Sequence, residues 1–270
     1  MKEYDFYIVP TPIGNLYDIT LRAIEVLKSV DIIACEDIRV TQKLLNHFEI
    51  KTKCVSYHKF NEKERINYFL SLLQDGKKIA LVSDAGTPLF CDPGAVIVDE
   101  LRKNNFSVTS LPGANAVATF LSQVPREAED FVFVGFLPKS KQHIENLLKK
   151  YKSTDMVFYD SPNRLMNTLE IIKACRPVSR VAVGRELTKV FEEILIDTPE
   201  SITEHFNQNI LKGEIAALVF REKSNITEVD IEDKIRILKD KGFKAKEISL
   251  ILSELYSVNK NEVYKKCLMS

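Results

Sequence analysis

The stretch Lys78-Ile79-Ala80-Leu81-Val82-Ser83-Asp84-Ala85-Gly86-Thr87-Pro88-Leu89-Phe90-Cys91-Asp92-Pro93-Gly94 decides how this chain folds. Its first five residues read as a short buried strand. Ala95 to Leu101 follows as a helix, with Asp92 as the expected cap and Pro93 at the first helical position, where a missing N–H costs nothing. A strand therefore ends in an acidic, Gly- and Pro-containing loop that opens onto a helix. In a parallel sheet such loops form the ligand-binding edge. A lone surface turn would look the same, and recurrence separates the two readings. The apolar run ending at Val9 passes into Pro10-Thr11-Pro12-Ile13-Gly14-Asn15-Leu16, and the run Phe106 to Leu111 passes into Pro112-Gly113-Ala114-Asn115.

Between these landmarks strands alternate with helices. Thr20 caps a helix with Leu21, Ile24 and Leu27 at helical spacing; Asp31 to Ala34 is a strand; a helix passes through Leu44, Leu45 and Phe48. Val55 to His58 is extended, and Ile66, Phe69, Leu70 and Leu73 mark a helix stopped by Gly76. Alternation of this kind argues a parallel α/β sheet with right-handed crossovers, and puts the three loops on one edge. None of them is G-x-G-x-x-G or a Walker loop, so the common dinucleotide and nucleoside triphosphate fingerprints are absent.

The polar stretch Gln123 to Asp130 reads as a linker. Beyond it, Phe131 to Phe136, Met156 to Tyr159, Val181 to Val183, Ile194 to Ile196 and Ile215 to Phe220 are strands with shorter crossovers, which argues a mixed sheet. Glu222 to Asn225 is a second linker. Three helical stripes follow, the last with Asn259 and Glu262 as a capping box. They suit a helix-turn-helix-like module in which Lys234, Arg236, Lys239, Lys241, Lys244 and Lys246 face one acid, Asp240. A solvated charged face on a small bundle fits that pattern equally. The expected fold is α/β: an N-terminal parallel-sheet domain over 1–124, a second mixed-sheet domain over 125–222 with a ligand cleft between them, and a C-terminal helical module over 226–270.

Composition bounds the function. Thirty-eight basic residues balance 38 acidic ones, so a nucleic-acid partner must be met by a local patch. Five cysteines, Cys35, Cys54, Cys91, Cys175 and Cys267, include no C-x-x-C spacing, which argues reduced thiols, no zinc and no disulfide framework. The first residues do not read as a signal peptide and no apolar run reaches membrane-spanning length, so the expected location is the cytoplasm, with no membrane and no metal partner.

Thr11-Pro12-Ile13-Gly14-Asn15-Leu16, Glu36-Asp37-Ile38-Arg39, Ser56-Tyr57-His58, Ser83 to Pro88, Gly135-Phe136-Leu137-Pro138 and Arg185-Glu186-Leu187-Thr188-Lys189 stand in an order that resembles the tetrapyrrole-methylase-type family, in its branch of small-subunit ribosomal RNA cytidine 2′-O-methyltransferases. The likeness is dense over residues 4–222 and looser beyond. It implies S-adenosylmethionine as methyl donor, held in the interdomain cleft, ribosomal RNA or the small ribosomal subunit as partner, and a homodimer. Three motifs depart from the family pattern. Pro112-Gly113-Ala114-Asn115 stands for Pro-Gly-Pro-Ser, Asp160-Ser161-Pro162-Asn163-Arg164 stands for Glu-Ser-Pro-His-Arg, and Cys35 and Ile38 replace a small residue and Thr.

By the same resemblance the cofactor contacts are Pro12, Ile13, Ser83, Asp84, Ala85, Gly86, Thr87, Pro88, Asn115 and Ala116 from the first half, with Tyr159, Gly184 and Ile215 from the second. Asp37, Arg39, His58, Glu186 and Lys189 form the expected proton-handling set, because a ribose hydroxyl must lose a proton to a base or beside a cation. Taken singly, each has a plainer role as a surface hydrogen-bonding group or ion-pair member. Two other functions fit the fold: methylation of a tetrapyrrole carbon or of a translation-factor side chain, and a non-catalytic RNA-binding assembly module.

Overall fold

The structure is a computed structural model that describes residues 2–222, 228–256 and 258–269. Met1–Phe220 forms one compact unit and Arg221–Ser270 another.

The first half of the large unit runs β1 (Phe6–Ile8), α1 (Leu21–Ser29), β2 (Ile32–Cys35), α2 (Ile38–His47), β3 (Lys53–Ser56), α3 (Glu62–Gln74), β4 (Ile79–Val82), α4 (Ala95–Lys103), β5 (Val108–Ser110) and α5 (Ala116–Leu121). All five strands are parallel, in the order β3-β2-β4-β1-β5. Strands ending at adjacent positions β4, β1 and β5 bring the three Gly/Pro loops side by side at the carboxyl edge. The sheet is apolar on both faces, as buried parallel strands require. Tyr7, Ile33, Cys35, Ala80 and Val82 pack against α1 and α2 on one side; Phe6, Ile8, Ile32, Ile79 and Leu81 pack against α3 and α4 on the other.

The second half contains β6 (Phe131–Phe136), α6 (Lys141–Lys150), β7 (Asp155–Asp160), α7 (Pro162–Cys175), β8 (Val181–Arg185), β9 (Glu193–Asp197), α8 (Pro199–Gln208) and β10 (Ile215–Val219). Its sheet, β6-β7-β10-β8-β9, is mixed as expected: only β6 and β7 are parallel. One face carries α6, α7 and α8 over Met156, Phe158, Val181 and Val183. On its other face, Val157, Ala182, Ala216 and Leu218 receive Val117 and Phe120 of α5, with Ile13 and Leu187. Helix α5 thus leaves the first sheet and covers the second.

The small unit holds α9 (Glu228–Asp240), α10 (Ala245–Tyr256) and α11 (Lys260–Met269) around Ile235, Ile248, Leu252, Val263 and Cys267. Asn259 Oδ1 accepts the backbone N–H groups of Asn261 and Glu262, at 2.9 and 3.4 Å, and so starts α11 with the Asn259 half of the expected capping box. Three residues of the expected linker, 223–225, lie outside the described residues.

Two expectations need correction. Asp92 and Pro93 do not open α4. The helix starts at Ala95 after Gly94, whose N–H donates to Glu62 Oε1 at 3.1 Å. A Cβ on Gly94 would lie 2.7 Å from Leu89 Cδ1, so the chain turns there only because the side chain is missing. The strand expected over Phe106 to Leu111 is regular only through Val108–Ser110, with Ser107 O accepting from Phe6 N–H at 3.1 Å and Leu111 N–H donating to Ile8 O at 2.9 Å at its two ends. Among the described residues no helix is long and apolar enough to cross a membrane, and no group of three His, Cys, Asp or Glu side chains could hold a metal ion.

Candidate active site

A cleft of about 400 Å³ opens between the carboxyl edge of the first sheet and the face of the second that α5 partly covers. That volume is in the range of small-molecule sites. Ile13 and the run Asp84 to Thr87 line it from the first sheet's loops, and Phe90, Cys91 and Asp92 continue the wall. Asn115 and Ala116 contribute the start of α5. Phe136, Tyr159, Asp160, Leu187, Glu214 and Ile215 close it from the second half.

The floor is set by backbone pairing. Thr11 N–H donates to Gly86 O and Gly86 N–H to Thr11 O, both at 2.9 Å, lacing the loop after β1 to the loop after β4. Thr11 Oγ1 donates to Ser83 O at 3.0 Å, and Thr87 Oγ1 donates to Ala114 O at 2.9 Å, which ties the third loop to the other two. Asn115 Oδ1 accepts from the N–H groups of Val117 and Ala118, at 3.0 and 3.2 Å. Asn115 is therefore the N-cap of α5 as well as a wall residue.

The lining carries four carboxylates, Asp84, Asp92, Asp160 and Glu214, and no lysine or arginine. Burial pushes the Asp84 carboxyl above its ordinary range, partly opposed by the Asp37 N–H that donates to Asp84 Oδ1 at 3.1 Å. Burial also raises Asp92, and the nearby carboxylates Glu36 and Asp84 add to it. Arg164 pairs with Asp160 at 3.4 Å and Lys189 with Glu214 at 2.9 Å, so Asp84 and Asp92 are the carboxylates that would favour a cation.

Of the expected cofactor contacts, Ile13, Asp84, Ala85, Gly86, Thr87, Asn115, Ala116, Tyr159 and Ile215 line the cleft. Pro12, Ser83, Pro88 and Gly184 do not. Ser83 is buried behind the wall, its hydroxyl donating to Gly86 O at 3.1 Å, and Pro88 packs beside it in a minor cavity with Asp92 and Tyr57. Gly184 is occupied from the side facing α5: a Cβ there would stand 2.6 Å from Phe120 Cδ2. The glycine makes room for a phenylalanine.

The expected proton-handling residues are not linked into one bonded set. No hydrogen bond or ion pair among the described residues joins Asp37 and Arg39 to Glu186 and Lys189, or either pair to His58, and none of the five lines the cleft. Asp37 caps α2, accepting from Arg39 N–H at 2.8 Å, and the Arg39 guanidinium at 2.6 Å holds its carboxyl down at about 2. His58 Nδ1 accepts from Phe60 N–H at 3.3 Å in the loop after β3. Glu186 Oε1 accepts from Lys189 Nζ at 2.8 Å and from Glu214 N–H at 2.9 Å. Burial works against that carboxylate's charge, but these donors outweigh it and its pKa is lowered. Lys189 Nζ also reaches Glu214 Oε2 at 2.9 Å. Glu186 and Lys189 thus stand behind the cleft wall and set Glu214, which is in it. Gly213 has φ +95°, and a Cβ on it would fall 2.1 Å from Glu186 Oε1, so only glycine lets Glu186 cover this turn.

Phe90, Cys91, Asp92, Phe136, Leu187 and Glu214 were not anticipated as wall residues. The first three belong to the loop expected on the ligand-binding edge, where only Asp92 was given a role, as a helix cap, and Phe136 was expected in a core strand. One signal for Phe136 was present: a glycine inside a strand, Gly135, marks a bulge.

In the small unit Arg236, Lys241, Lys244 and Lys246 are exposed, whereas Lys234 and Lys239 are half-buried. Lys234 Nζ lies 5.2 Å from the Tyr256 ring centroid, and Arg236 pairs with Asp233 at 2.8 Å.

The profile of the family described as Tetrapyrrole (Corrin/Porphyrin) Methylases matches residues 5–203. The chain is 38% identical over 267 residues to "Ribosomal RNA small subunit methyltransferase I" of Rickettsia prowazekii, covering 96% of this chain and 94% of that one. It is 43% identical over 230 residues to the protein of the same name in Bacillus subtilis, covering 84% and 78%. Among solved structures, diphthine synthase superposes with a TM-score of 0.62 at 12% identity, over 80% of this chain and 89% of that one. Uroporphyrin-III C-methyl transferase from Thermus thermophilus, in complex with S-adenyl homocysteine, superposes with a TM-score of 0.55 at 17% identity, over 79% and 96%. At these identities the two structures share the fold.

Proposed function

Because the chain belongs to the tetrapyrrole methylase family, among the ribosomal RNA small subunit methyltransferase I proteins, we propose that it transfers a methyl group from S-adenosylmethionine to the ribose 2′-oxygen of a cytidine in small-subunit ribosomal RNA. One observation supports this most directly: a cleft whose ionisable wall residues are Asp84, Asp92, Asp160, Glu214, Cys91 and Tyr159, with no basic side chain among them. The cofactor brings a sulfonium and an ammonium, and both are attracted by such a wall. Its chemistry there is an electrophilic methyl on sulfur, ready for displacement by an alcohol oxygen.

The protein's share is placement and proton management. The laced loops of Thr11, Gly86 and Thr87 hold the floor rigid, and Tyr159, Leu187 and Ile215 supply apolar cover that keeps water from the reacting groups. Asp84 and Asp92 are the carboxylates placed to take the hydroxyl proton, since both line the cleft and burial raises both. Asp37 suits that role less well than the sequence suggested, because Arg39 holds it as a weak base. Glu186 and Lys189 act as positioning residues through Glu214.

The proposal extends to a division into 1–124, 125–222 and 226–270, a cytoplasmic location, a homodimer, and contacts from Arg236, Lys241, Lys244 and Lys246 to RNA phosphates. Small subunits from cells lacking this gene are the test substrate, with labelled cofactor and mass spectrometry of the RNA. A 2′-O-methylcytidine appearing with the wild-type protein is the expected result. Label retained on a nucleotide whose 2′-hydroxyl is replaced by hydrogen would point to a base atom instead. Light scattering at assay concentration tests the dimer.

A further inference from the structure

Four aromatic rings form a row along one side of the cleft. Phe90 stacks on Phe133, with centroids 4.9 Å apart and planes inclined by 20°. Phe133 meets Tyr159 edge-on at 5.0 Å, and Phe136 meets Tyr159 at 5.3 Å. The middle two are half-buried, but Phe90 is 45% exposed and Phe136 66% exposed although both line the cleft. Each packs against a neighbouring ring and leaves much of its apolar surface in water at the cleft.

Backbone geometry shows how Phe136 came there. Phe133 pairs with Val157 and Phe136 with Tyr159, so β6 spends three steps where β7 spends two. The extra residue is accommodated at Gly135, with φ +70° and open space where a Cβ would be. Without the bulge Phe136 would face away from Phe133; with it, both rings share the face that carries Tyr159. Asp160 and Glu214 are paired with Arg164 and Lys189, but Asp84 and Asp92 also line the cleft, and a phosphate beside those two carboxylates is disfavoured. An uncharged base, by contrast, meets only π-faces at this wall.

We propose that Phe90 and Phe136 stack on the base of the target nucleotide, turning its ribose toward Asp84 and Asp92 while its phosphates stay outside the acidic cleft. This rests on the function proposed above. The row would hold the base drawn out of its RNA stack, and aromatic side chains are the usual surface for such bases.

The test compares Phe136→Ala, Phe136→Leu, Phe136→Tyr and Phe90→Ala. Each is read by calorimetry with S-adenosylmethionine, by filter binding to unmethylated small subunits in the presence of S-adenosylhomocysteine, and by methyl-transfer kinetics. Cofactor affinity should stay within twofold of wild type in all four. Subunit affinity and kcat/KM should fall about 5- to 150-fold in Phe136→Ala, the worth of one base–aromatic stack, and similarly in Phe136→Leu. Phe136→Tyr should retain both. A parallel loss of cofactor affinity would assign the rings to the cofactor's adenine and overturn the proposal. So would a Phe136→Leu protein as active as wild type, or subunit affinity unmoved by every variant. A wild-type protein that transfers no methyl to subunit RNA would remove the parent reading, and this inference with it.

Discussion

Gly184→Ala separates two roles for a buried glycine. The added Cβ would lie 2.6 Å from Phe120 Cδ2, 2.9 Å from Phe120 Cε2 and 3.0 Å from Ile194 Cδ1. Carbon atoms rest at about 3.5–4.0 Å, so Phe120 must withdraw by roughly 1 Å. It is fully buried among Val117, Val124 and Ala216 and has nowhere to go without moving α5. Overpacking of this kind costs about 1–3 kcal/mol. Phe120→Leu alone should also destabilise, by about 1 kcal/mol or more, because it leaves a void. Together the two changes should partly compensate, with a favourable coupling of about 1–2 kcal/mol. Urea unfolding of the four proteins gives the cycle, and calorimetry with S-adenosylmethionine gives the second axis. Additive losses, or a Gly184→Ala protein of unchanged stability whose cofactor affinity has collapsed, would refute the packing account and return Gly184 to the ligand.

Thr87→Tyr places a ring in the cleft and breaks the hydroxyl's bond to Ala114 O, so calorimetric S-adenosylmethionine binding should fall at least tenfold in a folded protein. Because burial raises the Asp84 pKa, its carboxylate is neutralised at a higher pH than an ordinary one; cofactor affinity should therefore decline as pH is lowered from about 7 toward 4, and Asp84→Asn should be weaker at neutral pH and lose much of that dependence. Gly213→Ala should displace Glu186 and free Glu214, lowering cofactor affinity and costing about 1–2 kcal/mol of stability from the positive φ alone, both measurable on one preparation. Removing 221–270 should leave a protein that unfolds cooperatively, loses only the helical signal of α9–α11 and keeps its cofactor affinity, but binds subunits more weakly and with a shallower salt dependence, since the exposed basic residues removed are the ones proposed to meet phosphates.

The alternation of short apolar runs with 3.6-period stripes was enough to read a parallel first sheet and a mixed second one, and three strand ends with Gly and Pro were enough to place three loops on one edge, where the cleft opens. Local chemistry misled where tertiary contacts overrode it. Asp92-Pro93 has the composition of a helix start, but the helix waits for Gly94 because Leu89 and Leu81 fill the space a side chain would need. Gly184 lacks a side chain, which fits a nearby ligand and a nearby phenylalanine equally, and only packing distinguishes them. Asp37, His58 and Glu186 follow different strands, and motif order along the chain carries no information on distance between those loops. Glu214 was invisible because its importance comes from Glu186 and Lys189, residues 28 and 25 positions away.

The reciprocal pair between Thr11 and Gly86 has a kinetic consequence. Two N–H groups and two carbonyls satisfy one another there, so the loops after β1 and β4 have no unmet groups at that point to draw them apart. A floor already ordered adds little entropy cost on association. Cofactor capture should then be limited by passage through the mouth and not by loop closure, giving an on-rate that is linear in concentration with no plateau. It also makes the two loops heritable as a pair: a change that breaks the bond at either residue strands the partner's donor and acceptor, so a substitution in one loop is felt 75 residues away in the other.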